Sequence, residues 1–195
     1  MTARSKSSAV LLKNGSVLVS GGLNGPLKTS ELVTGDDTRT HGMELPNGLY
    51  GHCMLLLISG QIFLHGGKTV SGPVADTYIS DESVNWEQMM SSKNSRYNHA
   101  CTEVIINLDQ QVWVGGSYRD ETTEIFEPSN NIWIEGPSLP NFFRYPGEFV
   151  SNLGKVYYIG GWGNMNIFKL MDGWTKQDGW EKESCLCSFS NVYIS

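Results

Sequence analysis

Short apolar runs punctuate the chain, and they come in pairs. "AVLLKN" precedes "GSVLVSGG", "CMLLLIS" precedes "GQIFLHGG", "CTEVIINL" precedes "DQQVWVGG", and "EFVSNL" precedes "GKVYYIGG". The two runs of each pair are joined by "KNG", "ISG", "LDQ" or "NLG", all compositions of tight hairpin turns. Each pair therefore predicts a β-hairpin. A third run follows, "TSELV", "ADTYI", "TTEIFE" or "MNIFKL", and a fourth comes after another turn. Three times that fourth run begins at a tryptophan: Trp86, Trp133 and Trp174. Nowhere does the pattern follow a helical period.

The second run of each hairpin ends on a glycine pair: Gly21-Gly22, Gly66-Gly67, Gly115-Gly116 and Gly160-Gly161, spaced 45, 49 and 45 residues apart. Four strands therefore recur within a period of about 45 residues. The runs "VLV", "IFL", "VWV" and "VYYI" are apolar at every position, whereas a sheet with one wet face would alternate apolar with polar. Such a sheet needs cover on both faces, and neighbours of the same kind stacked face to face supply it. A radial stack of four-stranded sheets is a β-propeller. The glycine pairs are read as structural, at points where the backbone turns and packs closely. The tryptophans are read as packing between blades.

"GGKT" at 66–69 invites a phosphate-loop reading, which fails on two counts. The glycine such a loop requires five places earlier is Ile62, within a strand, and no amphipathic helix follows.

Composition narrows the class further. The 195 residues allow one domain, and a charged fraction of 17% excludes a disordered polyelectrolyte. A net charge of −6 argues against a broad nucleic-acid surface. No apolar run has membrane length, and the first residues lack a signal core, so an intracellular, cytoplasmic chain is expected. Cys53, Cys101, Cys185 and Cys187 form no CxxC pair, and reduced thiols are expected. His52-Cys53 and His99 with Cys101 stand at corresponding places before successive hairpins. They are read as structural rather than as a zinc site. Asp36-Asp37, Asp81-Glu82 and Asp120-Glu121 are read as turn acids, and no nucleophile elbow occurs. No catalytic residue, metal or cofactor is assigned.

The diglycine after an apolar strand, the stretch "FEPSNNIW" from Phe126 to Trp133, and "RYNHA" from Arg96 resemble the kelch-repeat family. The resemblance implies an all-β kelch-type propeller of about four four-stranded antiparallel blades. Its repeats run approximately over 1–46, 47–94, 95–140 and 141–182, with a partial hairpin over 183–195, so an incomplete, open ring is expected, with a closed four-bladed ring as the alternative. In kelch adaptors, residues after the diglycine and an arginine before the next hairpin share one rim and contact a protein partner. The matching positions are Lys68, Thr69, Ser117, Tyr118, Arg119 and Trp162, with Arg96 and Arg144; Tyr97, Asn98 and Tyr145 adjoin them. The family implies a non-catalytic interaction module, in some members the substrate-recognition part of a ubiquitin ligase. The alternative is an extracellular propeller of the galactose-oxidase or sugar-binding kind.

Overall fold

The computed structural model describes residues 2–81, 85–106, 108–117, 120–139, 146–152, 155–161, 167–170 and 180–183. Every regular element among them is a strand. The first sheet comprises β1 (Ser8–Leu11), β2 (Val17–Ser20), β3 (Ser30–Val33) and β4 (Arg39–His41), hydrogen-bonded in that order. The second holds β5 (Cys53–Leu56) and β6 (Ile62–His65). A small hairpin of β7 (Lys68–Thr69) and β8 (Gly72–Pro73) then interrupts the path, before β9 (Thr77–Ser80) and β10 (Glu87–Met89) complete the sheet. The third comprises β11 (Ala100–Ile106), β12 (Asp109–Ser117), β13 (Asp120–Glu127) and β14 (Ile132–Glu135). The fourth comprises β15 (Pro146–Asn152), β16 (Lys155–Gly161), β17 (Ile167–Leu170) and β18 (Trp180–Glu183). All ladders are antiparallel.

The sheets stack as propeller blades, with β1 against β5, β5 against β11, and β11 against β15. Their apolar strands serve two interfaces at once. Ile62 and Leu64 of β6 join Val10, Leu18 and Tyr78 between the first and second blades. Phe63, between them in sequence, packs with Val112 and Phe126 of the third blade. Trp113, fully buried, turns the other way and packs with Ile125 and Val156 toward the fourth. Successive side chains on a strand point to opposite faces, so an uninterrupted apolar run fills two cores.

Sheet register revises the alignment of the repeats. Ser20 lies opposite Ser8 and Ser30, His65 opposite Cys53 and Thr77, and Gly115 opposite Ala100 and Thr123. The next residue in each case, Gly21, Gly66 or Gly116, has a positive φ of 62°, 63° or 66°. Gly115-Gly116 therefore sits one place earlier than the other two pairs. Gly115 holds a ladder position that Ser20 and His65 fill elsewhere, and Ser117 takes the place of Gly22 and Gly67. The described outer strand of the fourth blade begins at Trp180; Trp174, where a strand was expected to begin, lies outside the described residues.

Candidate functional site

Three residues with left-handed backbone stand in a row at one end of the blades. Lys6, Gly51 and Asn98 have φ of 53°, 62° and 50°, each just before the inner strand of its blade. The Gly51 amide donates to the Lys6 carbonyl at 2.8 Å, and the Asn98 amide donates to the Gly51 carbonyl at 2.7 Å. This backbone ladder crosses from blade to blade and fixes the neighbouring side chains. Tyr50 and Tyr97 meet edge to face, with ring centroids 6.4 Å apart and an interplanar angle of 80°. Lys6 Nζ lies 5.8 Å from the centre of the Tyr50 ring, and Lys68 Nζ lies 5.3 Å from that of Tyr97. Tyr50 and Lys68 are joined by reciprocal backbone hydrogen bonds of 3.2 and 2.9 Å, which bring the diglycine exit beside the hairpin entry. The result is a rim of alternating cations and half-buried aromatic rings, with the exposed Val70 at the tip of the β7–β8 hairpin nearby.

Lys68, Thr69, Tyr97 and Asn98 lie on or beside this rim. Asn98 contributes its backbone, and Thr69 Oγ1 closes the small hairpin on the Gly72 carbonyl at 3.1 Å. Two rim expectations are corrected. The Arg96 side chain is 0% exposed and therefore faces no partner. One of its terminal nitrogens donates to Asp120 at 2.5 Å and to the Thr122 carbonyl at 2.9 Å; the other donates to Thr122 Oγ1 at 2.7 Å and Glu124 at 2.9 Å. A buried cation needs this density of acceptors. Asp120 thus belongs to a strand and to an ion pair, not to a turn. Ser117 is also buried, and its hydroxyl donates to the Tyr97 carbonyl at 3.1 Å, so it positions the tyrosine instead of meeting a ligand. Tyr118, Arg119, Arg144, Tyr145 and Trp162 lie outside the described residues.

Reading the sequence for a rim missed Lys6 and Tyr50. The signal was present: "YGH" at 50–52 repeats "YNH" at 97–99, with glycine replacing asparagine at the left-handed position.

Beneath the rim lie two buried histidines, His52 and His65, and the half-buried His99. His52 Nε2 is 2.9 Å from Ser20 Oγ, whose hydroxyl points at Met54 Sδ. His65 Nε2 is 2.9 Å from Ser92 Oγ, and that hydroxyl donates to the Asn94 carbonyl at 2.9 Å. Ser92 therefore accepts from His65, which leaves His65 Nδ1 to accept from His99 Nε2 at 3.0 Å. Burial pushes His52 down to about 4. Burial first and then the Arg96 charge push His65 to about 3, and His99 is held well below its ordinary value by burial and by His65, Arg96 and His52. Neutral, enclosed rings tied to serines hold the blades together. Trp86 and Trp133 each reach back one blade, donating their indole N–H to the carbonyls of Glu44 and Met90 at 2.8 Å.

Cys53 and Cys101 form a disulfide between the inner strands of the second and third blades, with Cα atoms 6.2 Å apart. The expectation of reduced thiols is overturned for this pair; Cys185 and Cys187 lie outside the described residues. The two cysteines are also not at equivalent places. In the ladder Cys53 corresponds to Ala100, while Cys101 corresponds to Met54, because the cysteine stands one place after the histidine in the second blade and two places after it in the third. Met54 faces the first blade, where it meets Ser20. Cys101 accordingly faces back toward the second blade, and Cys53 faces forward to meet it. Among the described residues no group of three or more histidines, cysteines or carboxylates is arranged to hold a metal ion.

No family model matches this chain, and no curated protein matches it. A solved structure titled "Structure of YjhT" is similar to it over 96% of this chain and 67% of that one, with a TM-score of 0.71 and 14% identity. The likeness is one of fold, and it accords with the stacked four-stranded blades.

Proposed function

We propose that this chain is a kelch-type propeller module that binds a protein or peptide partner without catalysis, as adaptors of the ubiquitin-ligase kind do. The observation that carries this reading is the Tyr50–Tyr97 pair, built by two adjacent blades and flanked by Lys6 and Lys68. Rigid aromatic side chains with polar tips offer contact area at little entropic cost, and tyrosine is enriched at binding hot spots. The histidines that could do acid–base work are instead packed against serines and one another. The test is selection of a random peptide library on the intact chain, followed by binding of the selected peptides to Tyr50→Ala and Tyr97→Ala variants whose fold is checked by circular dichroism. Selected peptides should lose affinity for both variants. Undiminished binding to both would remove the rim from the proposal.

One observation favours a second reading. The Cys53–Cys101 disulfide suits an oxidising compartment, where an extracellular sugar-binding propeller would work. Selective binding to a glycan array, with none to peptides, would favour it.

A further inference from the structure

We propose that the rim receives an acidic, extended peptide segment whose carboxylates sit on Lys6 and Lys68. This rests on the peptide-binding reading above and adds the chemistry of the partner. The argument begins from how this chain treats its other cations. Arg4 is paired with Glu31, Lys28 with Glu44, and Arg96 with Asp120 and Glu124, as befits a chain with a net charge of −6. Lys6, Lys13, Lys68 and Lys93 have no carboxylate in salt-bridge reach among the described residues, and of these Lys6 and Lys68 hold their ammonium groups over tyrosine rings. An aromatic face attracts an ammonium group through its quadrupole but leaves its charge intact. A carboxylate would hold the side chain and neutralise it as well. The rim thus keeps two full positive charges while restricting the side chains that bear them, which lowers the entropy lost when an anion arrives.

The spacing of the parts suits a chain-like ligand. Lys6, Tyr50 and Tyr97 belong to three consecutive blade entries tied by the Lys6–Gly51–Asn98 backbone ladder, and Lys68, paired through its backbone with Tyr50, sets its ammonium group over Tyr97. The two ammonium groups thus lie over rings from two different blades. An extended acidic segment can meet both lysines, lay its intervening atoms against the tyrosine edges, and reach the exposed Val70 at the hairpin tip. Charge complementarity of this kind speeds encounter and sets specificity.

The test uses the full chain and a fluorescent peptide alternating glutamate and glycine, with its glutamine and lysine counterparts as controls, read by anisotropy at low and high salt. The glutamate peptide should bind, its glutamine counterpart should bind about tenfold more weakly, and salt should weaken only the former. A Lys6→Glu/Lys68→Glu variant should lose the glutamate peptide, whereas Lys13→Glu/Lys28→Glu should keep it. Equal binding of the glutamate and glutamine peptides, no binding of the glutamate peptide, or full binding by the Lys6→Glu/Lys68→Glu variant would each overturn the acidic assignment. The peptide selection separates this failure from the broader one. Apolar or basic selected peptides that still need Tyr50 and Tyr97 would leave the interaction surface standing and refute its acidic ligand. Selected peptides indifferent to both tyrosines would refute both.

Discussion

Arg96 and Glu124 form an ion pair of 2.9 Å with side chains 0% and 5% exposed, and one blade earlier the same two places are held by Leu49 and Tyr78. Leu49 and Tyr78 lie together in the core between the first two blades. The first blade uses Arg4 and Glu31 there, at 2.8 Å. The fold accepts either chemistry, provided that both partners are of one kind. Glu124 also accepts the amides of Lys93 and Asn94, so removing the arginine strands a buried carboxylate among donors too few to neutralise it. Arg96→Leu alone should cost about 3–5 kcal/mol, as expected for a broken buried pair. The double variant Arg96→Leu/Glu124→Tyr, which copies the second blade, should recover part of that loss. Denaturant midpoints of the singles and the double decide it: strictly additive losses would mean that the two positions are not coupled.

Acid should weaken the fold through the histidines beneath the rim. Their ordinary value is 6.5; folded, His52 falls to about 4, His65 to about 3, and His99 lies well below 6.5. As pH falls below about 6.5 the unfolded chain takes up protons that the folded chain refuses, so stability is full above that point and declines below it. The slope is about 1.4 kcal/mol per pH unit for each histidine that titrates only when unfolded. Urea midpoints at about pH 7 and about pH 5 measure it, with His52→Gln as the variant that should flatten the curve. Equal slopes in the two proteins would show that His52 is not part of the effect.

The disulfide closes a loop between residues 48 apart, and reducing it releases that constraint on the unfolded chain. A loss of about 3–4 kcal/mol is expected on reduction. Thermal melts with and without a dithiol reductant, beside a Cys53→Ser/Cys101→Ser variant, provide the measurement. Reductant should lower the transition of the parent and leave the variant unchanged. A parent indifferent to reductant would contradict the bridge.

Glycines of the third repeat should differ from each other despite being adjacent. A side chain at Gly66 would set its Cβ 2.7 Å from the Arg96 carbonyl, with φ of 63° adding strain. Gly116 shares that backbone conformation, whereas Gly115 shares the ladder position where Ser20 stands. Gly116→Ser should therefore cost about 1–3 kcal/mol and Gly115→Ser distinctly less. The reverse order in denaturant midpoints would sink the register argument.

The strands were legible because their residues answer to local and global demands together. "IFL" and "VWV" suit a pleated backbone, and their double-sided apolarity demanded neighbours on both faces. The role of Arg96 was not legible, because it depends on carboxylates more than twenty residues ahead on β13. An arginine before a hairpin reads equally as a surface anchor or as a buried tie until its acceptors are placed. The rim was half legible for a related reason. Tyr97 and Lys68 stand near obvious markers, whereas Lys6 joins them only through the left-handed ladder. The outer strand at Trp180 was legible in the tryptophan spacing, which is 47 residues from Trp86 to Trp133 and again 47 from Trp133 to Trp180, but the nearer Trp174 drew the reading away from it.

The one-step offset between Cys53 and Cys101 bears on how this repeat array diverged. Two copies of one ancestral repeat carry cysteine at the same register, and those side chains point the same way around the stack, so faithful duplication yields no cross-link. The bridge between the second and third blades required cysteine at two adjacent register positions, next to His52 in one blade and one place further on from His99 in the other, which sets the second cysteine facing its neighbour. It is therefore a mark of individual blades and not of the repeat. Averaging the repeats into a consensus sequence would retain the apolar strands and the turn glycines, and would erase the bridge.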